Sequence, residues 1–151
     1  MSKITAAITA VGGYVPEYVL SNKELETMVD TNDEWITART GIKERRILKD
    51  KDKGTSFLAI KAAKDLLKKN NTDPKDIDMV IMATATPDMP VAVTGAYVAT
   101  QIGADNAFSY DLMAACSSFL FGMSIAAKYI ESGSYKKVLL VGADKMSSII
   151  D

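Results

Sequence analysis

The sequence predicts an α/β fold: a mostly parallel β-sheet with helices on both of its faces. Residues 79–84 and 137–143 are nearly continuous apolar runs of strand length, which is typical of strands covered on both sides. Amphipathic helical patterns separate the predicted strands, and such alternation indicates a parallel sheet. The 151 residues, 48% hydrophobic and 25% charged, are enough to bury a core.

The first thirty residues are predicted to form one strand and one short helix. Residues 3–11 are rich in β-branched side chains and alternate loosely, which favours a strand that residues 12–16 end in a loop. The stretch Ser-Asn-Lys-Glu that follows has the pattern of a capping box, in which Ser21 accepts a backbone N–H of the first turn and Glu24 reaches back to the N–H of Ser21. It predicts a helix to about residue 29.

A second short helix and an extended segment are expected next. Thr31 or Asn32 can cap this helix, acidic residues occupy its first turn, and Gly41 ends it. Residues 42–48 alternate and are charged, which favours an exposed strand. The mixed charges of residues 49–54 predict a solvated loop.

The remaining two thirds alternate helices with strands. Thr55 is expected to cap a helix to about residue 70, and Pro74 can begin a single helical turn. Residues 93–102 are predicted to form a helix. An alternating strand at residues 108–112 leads directly into a helix over residues 117–133.

Cys116 is the only cysteine and lies between the predicted strand at residues 108–112 and the helix that follows it. Parallel sheets bind ligands beyond the carboxyl ends of their strands, which is where this cysteine falls. The unpaired N–H groups and the positive dipole at a helix start favour a thiolate over a thiol. A lone cysteine is more often a small buried apolar residue. The position nevertheless predicts a nucleophile.

Composition excludes several classes of function. The chain has no histidine, so it cannot contain a Cys-His or Ser-His catalytic pair or a common zinc site, and no metal site is expected. A net charge of −1 gives no electrostatic basis for binding nucleic acid or an anionic membrane. No apolar run is long enough to span a bilayer. A single cysteine cannot form an internal disulfide, which fits a reducing compartment.

Two segments together resemble the 3-oxoacyl-[acyl-carrier-protein] synthase III family. Residues 30–45, DTNDEWITARTGIKER, resemble the family's signature, and residues 111–119, DLMAACSSF, resemble its nucleophile segment. Val-Pro-Glu near the start and Val-Gly-Ala-Asp after the last strand match in order and spacing. The likeness covers all 151 residues. It implies a thiolase-like fold of two similar halves, of which residues 1–151 form the N-terminal half with the nucleophile, while the C-terminal half is absent from this chain.

The family resemblance implies the initiating condensation of bacterial type II fatty-acid synthesis. Cys116 would take an acyl group from acetyl-CoA or another short acyl-CoA, which is a substrate, so that no cofactor is expected. Malonyl-acyl carrier protein would then lose CO2 and attack the thioester to give 3-oxoacyl-acyl carrier protein. The His and Asn that support this step belong to the second half, and the chain alone is therefore expected to be inactive or partly active. The intact protein is expected to be a cytoplasmic homodimer.

The resemblance also assigns binding residues. Trp35 is similar to the residue that stacks on the CoA adenine, and Thr31 to one at the adenine edge. Arg39 lies four residues after Trp35 on the same helical face and is expected to reach the CoA diphosphate. Val91 falls where some family members carry a bulky aromatic side chain that limits the acyl chain, which predicts a pocket open to longer or branched primers.

Alternatives remain open at this point. Lone tryptophans usually pack in cores, and Arg39 is equally suited to an ion pair with Asp33 or Glu34. Related superfamily enzymes, such as a thiolase, a hydroxymethylglutaryl-CoA synthase or a polyketide starter synthase, share the cysteine segment. A non-catalytic, dimerising fragment belongs to a different class of function.

Overall fold

The computed structural model describes residues 4–150, which divide into two compact units. The larger unit falls within Met1–Tyr14 and Lys53–Asp151, and the smaller unit is Val15–Asp52. The strands are β1 (Val19–Ser21), β2 (Glu44–Arg46), β3 (Met79–Ala83), β4 (Phe108–Leu112) and β5 (Val138–Gly142). The helices are α1 (Asn22–Leu25), α2 (Asp33–Thr40), α3 (Thr55–Lys69), α4 (Thr94–Ile102) and α5 (Ser118–Glu131), with 3₁₀ turns at Pro74–Asp76, Ala115–Ser117 and Met146–Ser148.

A three-stranded parallel sheet in the order β4-β3-β5 forms the centre of the larger unit. Every residue of β3 is buried, as its continuous apolar sequence predicts. Val80 lies beside Leu139 and Met82 beside Val141, and these side chains share one face of the sheet. The prediction of a parallel α/β sheet is confirmed.

Helices cover both faces of this sheet. Helices α3 and α4 pack on the face that carries Met82, and the core there consists of Ala59, Ala63, Leu67, Ile77, Val80, Met82, Val98, Ala99, Ile102, Ala104, Leu139 and Val141. Helix α5 packs on the opposite face, where a Cβ added to Gly122 would lie 2.5 Å from Leu140 Cδ1. Burial of this apolar surface is the main force that holds the layers together.

The smaller unit has a different construction. Strands β1 and β2 pair antiparallel, with Val19 opposite Arg46. Within residues 15–52 only Asn22 and Ile36 are buried. This unit therefore depends on hydrogen bonds more than on an apolar core.

The prediction of a strand over residues 3–11 is wrong where it can be compared with the structure. Residues 4–11 form no strand, and Lys3 lies outside the described residues. Residues 6–10 instead line a cavity of about 700 Å³ beside β5, against Leu139 and Leu140. These residues line the same cavity as β5 but do not pair with it, so a favourable β-branched pattern does not by itself specify a strand.

Two predicted caps are also corrected. Ser21 Oγ accepts from the N–H of Glu24 at 3.1 Å, but the Glu24 carboxylate accepts from the Tyr18 hydroxyl instead of closing the capping box, and α1 ends at Leu25 rather than near residue 29. Thr55 is the first residue of α3 and not its cap, because its hydroxyl donates to the Thr86 carbonyl oxygen at 2.5 Å.

Candidate active site

Cys116 lies on a sharp turn between β4 and α5. The strand ends at Leu112, a 3₁₀ turn spans Ala115–Ser117, and α5 begins at Ser118. Ala115 has a φ of +46°, a left-handed conformation that is rare for a residue with a Cβ. Strained backbone of this kind is common at functional turns, and here it directly precedes the exposed thiol of Cys116.

Hydrogen bonds across the turn fix its backbone. The N–H of Ala114 donates to Ser118 Oγ at 2.6 Å, and the N–H of Ser117 donates to the Ala114 carbonyl oxygen at 3.1 Å. The Ser118 side chain is buried. The first N–H groups of a helical turn have no acceptor within that turn, so Cys116 presents both a sulfur atom and a backbone donor at the carboxyl end of β4.

Asp111, on the strand that leads to Cys116, holds the start of α4. Its two carboxylate oxygens accept from the N–H groups of Thr94 at 2.8 Å and Gly95 at 2.7 Å. A Cβ on Gly95 would lie 3.1 Å from Met82 Cβ, so glycine allows this close approach. Sequence reasoning missed Asp111, although an aspartate within a strand of a buried sheet is a signal that its charge has partners.

Asp144 holds the beginning of the loop between β3 and α4, directly after β3. Its Oδ1 accepts from the N–H of Ala85 at 2.7 Å, from Thr84 Oγ1 at 3.0 Å and from the N–H of Thr86 at 3.2 Å. Val91 lies further along this loop and is 95% exposed. Its predicted role in the acyl pocket remains a prediction.

Trp35 and Arg39 lie together on one face of α2, as their spacing predicts. The Arg39 Cζ atom is 4.9 Å from the centroid of the Trp35 ring, which is cation–π contact, and Trp35 is 54% exposed. Among residues 4–150 Arg39 has no ion pair with an acidic neighbour. Asn32, and not Thr31, caps the helix, because its Oδ1 accepts from the Trp35 N–H at 2.8 Å.

The predicted site residues belong to both units. Cys116 and Val91 are in the larger unit, whereas Thr31, Trp35 and Arg39 are in the smaller one. Residues 4–150 contain no group of three or more His, Cys, Asp or Glu side chains that could hold a metal ion. Over the same residues no helix combines the length and hydropathy needed to cross a membrane.

Comparison with known proteins finds similarity to one family. A family model for 3-oxoacyl-[acyl-carrier-protein (ACP)] synthase III matches residues 110–151. Beta-ketoacyl-[acyl-carrier-protein] synthase III 2 of Bacteroides thetaiotaomicron is 54% identical over the whole chain, which covers 45% of that protein. The chain therefore spans less than half the length of this relative.

Solved structures agree in fold. The crystal structure of 3-oxoacyl-[acyl-carrier-protein] synthase III from Aquifex aeolicus matches with a TM-score of 0.92 and 44% identity, covering 97% of this chain and 47% of the other. A priming β-ketosynthase from the R1128 polyketide pathway matches with a TM-score of 0.90 and 39% identity, covering 94% of this chain and 42% of the other. The predicted thiolase-like fold, N-terminal half, is confirmed.

Proposed function

Because the sequence and fold are similar to the N-terminal part of 3-oxoacyl-[acyl-carrier-protein] synthase III proteins, we propose that the chain supplies the acyl-accepting half of an initiating condensing enzyme of bacterial fatty-acid synthesis. The observation that carries this proposal is the 3₁₀ turn at Cys116, where strained backbone holds an exposed thiol just before α5. The full enzyme is a cytoplasmic acyltransferase.

Acyl transfer to Cys116 is a thiol–thioester exchange. The sulfur of Cys116 attacks the carbonyl carbon of acetyl-CoA, a new carbon–sulfur bond forms, and the tetrahedral intermediate carries an oxyanion. The bond to the CoA sulfur then breaks, and CoA leaves as a thiol with the proton that Cys116 gave up. The backbone N–H of Cys116 donates to the oxyanion, which is the stabilisation that such a transition state requires.

Condensation is the second step of the proposed reaction. Malonyl-acyl carrier protein loses CO2, and the resulting carbanion attacks the acyl-Cys116 thioester. A carbon–carbon bond forms, the bond between the acyl carbon and the Cys116 sulfur breaks, and the Cys116 thiolate leaves, which gives 3-oxoacyl-acyl carrier protein. The family resemblance assigns a His and an Asn of the C-terminal half to the decarboxylation. The chain has no histidine and therefore cannot supply that His itself.

The exposed face of α2 is the proposed binding site for the nucleotide end of acyl-CoA. The Trp35 ring would stack on the adenine, Thr31 would contact the adenine edge, and the Arg39 guanidinium would pair with the diphosphate. The exposure of Trp35 supports this role, since a tryptophan that only filled a core would be covered.

Homodimerisation is proposed through the larger unit. Strand β4 is an edge strand of the parallel sheet, and Phe108 on it is 55% exposed. An uncovered edge strand with an exposed aromatic residue is a favourable place for a second copy to pair. The same strand leads to Cys116, so dimerisation would also steady the nucleophile.

Val91 is proposed to set the primer range. Its side chain is smaller than an aromatic ring, and the pocket should therefore accept longer or branched acyl groups. Acylation rates of the full-length protein with acetyl-, isobutyryl- and hexanoyl-CoA measure this range, and we expect Val91→Phe to reduce hexanoyl transfer most. A strict preference of the unmodified protein for acetyl-CoA would contradict the proposal.

A condensation assay tests the function directly. With acetyl-CoA and malonyl-acyl carrier protein, a full-length protein that carries this segment should form acetoacetyl-acyl carrier protein, and the 151-residue chain alone should not. Product formation by the short chain would show that no residue beyond it is required. No product from the full-length protein would refute the condensing function.

Polyketide priming is the second candidate, because the R1128 priming enzyme shares 39% identity with this chain. It begins with the same acyl transfer to a cysteine, so the turn at Cys116 suits either function. The two differ in the carrier protein that accepts the acyl group. Condensation on a polyketide carrier protein, with none on the fatty-acid carrier protein, would favour this candidate.

A further inference from the structure

We propose that Asn22 is a positioning residue for the nucleotide end of acyl-CoA: its buried amide fixes the helix that presents Trp35 and Arg39. The inference rests on the proposed function. Asn22 is the first residue of α1 and is 2% exposed, although it lies in a unit with almost no buried side chains.

Helix α2 has little apolar surface to hold it in place. It contains eight residues, and Ile36 is the one that is buried. Helices shorter than about 12 residues are marginal in water without packing. A single isoleucine leaves both the position and the rotation of such a helix weakly specified, so polar contacts must supply the rest.

The Asn22 side chain makes those contacts at both ends of α2. Its Nδ2 donates to the Oδ1 of Asp33, the first residue of α2, at 2.7 Å, and to the carbonyl oxygen of Ile42, just past the helix, at 2.7 Å. Its Oδ1 accepts from Arg45 Nη1 on β2 at 2.8 Å. Both donor hydrogens and the acceptor oxygen of the amide are therefore in use.

Secondary contacts set the rotation of the helix. Thr37 Oγ1 lies 3.4 Å from Asn22 Nδ2 and donates to Asp33 Oδ1 at 3.2 Å, so positions 33 and 37 both face Asn22. Trp35 follows Asp33 by two residues, a rotation of about 200° around the helix. Trp35 and Arg39 consequently point away from Asn22, and any rotation of α2 would move their shared binding face.

Neither an aspartate nor an alanine at position 22 can reproduce these contacts. An aspartate at position 22 would place a second carboxylate within hydrogen-bond distance of Asp33, where it would repel that charge. An alanine would leave the Arg45 and Asp33 partners without the amide. Asn22→Ala and Asn22→Asp therefore disturb α2 in different ways, and both should affect CoA recognition.

The test compares two acyl donors on the full-length protein. Acetyl-CoA carries the nucleotide, whereas acetyl-pantetheine has the same thioester and lacks it. For Asn22→Ala we expect kcat/KM of Cys116 acylation by acetyl-CoA to fall about tenfold, mainly through KM, which corresponds to about 1.4 kcal/mol. The rate with acetyl-pantetheine should stay unchanged. Asn22→Asp should give the same selective loss.

Matched controls separate positioning from general destabilisation. Asn106→Ala removes an exposed asparagine of the larger unit and should leave both rates unchanged. Equal losses with both donors in both Asn22 variants, or no loss with either, would overturn the positioning role while the proposed function stands. A wild-type protein that neither donor acylates would overturn the proposed function itself, and the inference with it.

Discussion

Replacing Asp111 tests how the strand that leads to Cys116 is joined to α4. Its carboxylate accepts from the N–H groups of Thr94 and Gly95, one on each oxygen, at 2.8 and 2.7 Å. Hydrogen bonds to a charged group contribute about 1.5–3 kcal/mol each, and the loss of a helix cap costs about 0.5–2 kcal/mol. These two hydrogen bonds are also what caps α4, so the two contributions are not added. We expect Asp111→Ala to lower the free energy of unfolding by about 3 kcal/mol.

A graded series makes the prediction specific. Asp111→Asn keeps one acceptor oxygen and should lose about half as much stability as Asp111→Ala. Urea-induced unfolding measures both, with Asp105→Ala, an exposed aspartate of the same unit, as the control that should change by less than about 0.5 kcal/mol. Equal effects of the two Asp111 variants, or none, would refute the assignment of one N–H to each oxygen.

Two further predictions concern the same sheet. The backbone N–H groups of Lys137 and Lys136 donate to the Asp78 carboxylate and hold its pKa below the usual 3.8. The ionised carboxylate therefore stabilises the fold fully above pH 3.8, and this stabilisation is lost as the pH falls through the lowered pKa. Acid unfolding of Asp78→Asn should depend less on pH in that window, and an unchanged profile would contradict the role of these contacts. Gly95→Ala should cost about 1–3 kcal/mol, because its Cβ would lie 3.1 Å from Met82 Cβ. Gly13→Ala, with open space around it, is the control, and equal costs in thermal unfolding would show that α4 can shift.

The sequence predicts the sheet well because its strands are buried on both faces. The continuous apolar run at residues 79–84 has the length and composition of a strand covered on both faces, and β3 occupies Met79–Ala83. The alternating segment at residues 108–112 matches β4 at both ends. Cys116 follows as predicted, except that a 3₁₀ turn over Ala115–Ser117 separates β4 from α5.

Long-range polar contacts explain what the sequence could not predict. Asn22 looks like an ordinary residue of a helix start, and only the fold brings Asp33, Ile42 and Arg45 to its amide. The left-handed backbone of Ala115 has no sequence signal either, because alanine is a poor choice for that conformation. The strand predicted at residues 3–11 is wrong for the opposite reason: its local propensity is favourable, but residues 4–11 pair with neither of the described sheets.

Intact-mass analysis after incubation with acetyl-CoA tests the central claim most directly. The account predicts that a full-length protein carrying this segment gains one acetyl group, that peptide mapping places it on Cys116, and that Cys116→Ala gains none. An unmodified wild-type protein, or acetylation that persists in Cys116→Ala, would contradict the claim that this turn carries the acyl-accepting nucleophile.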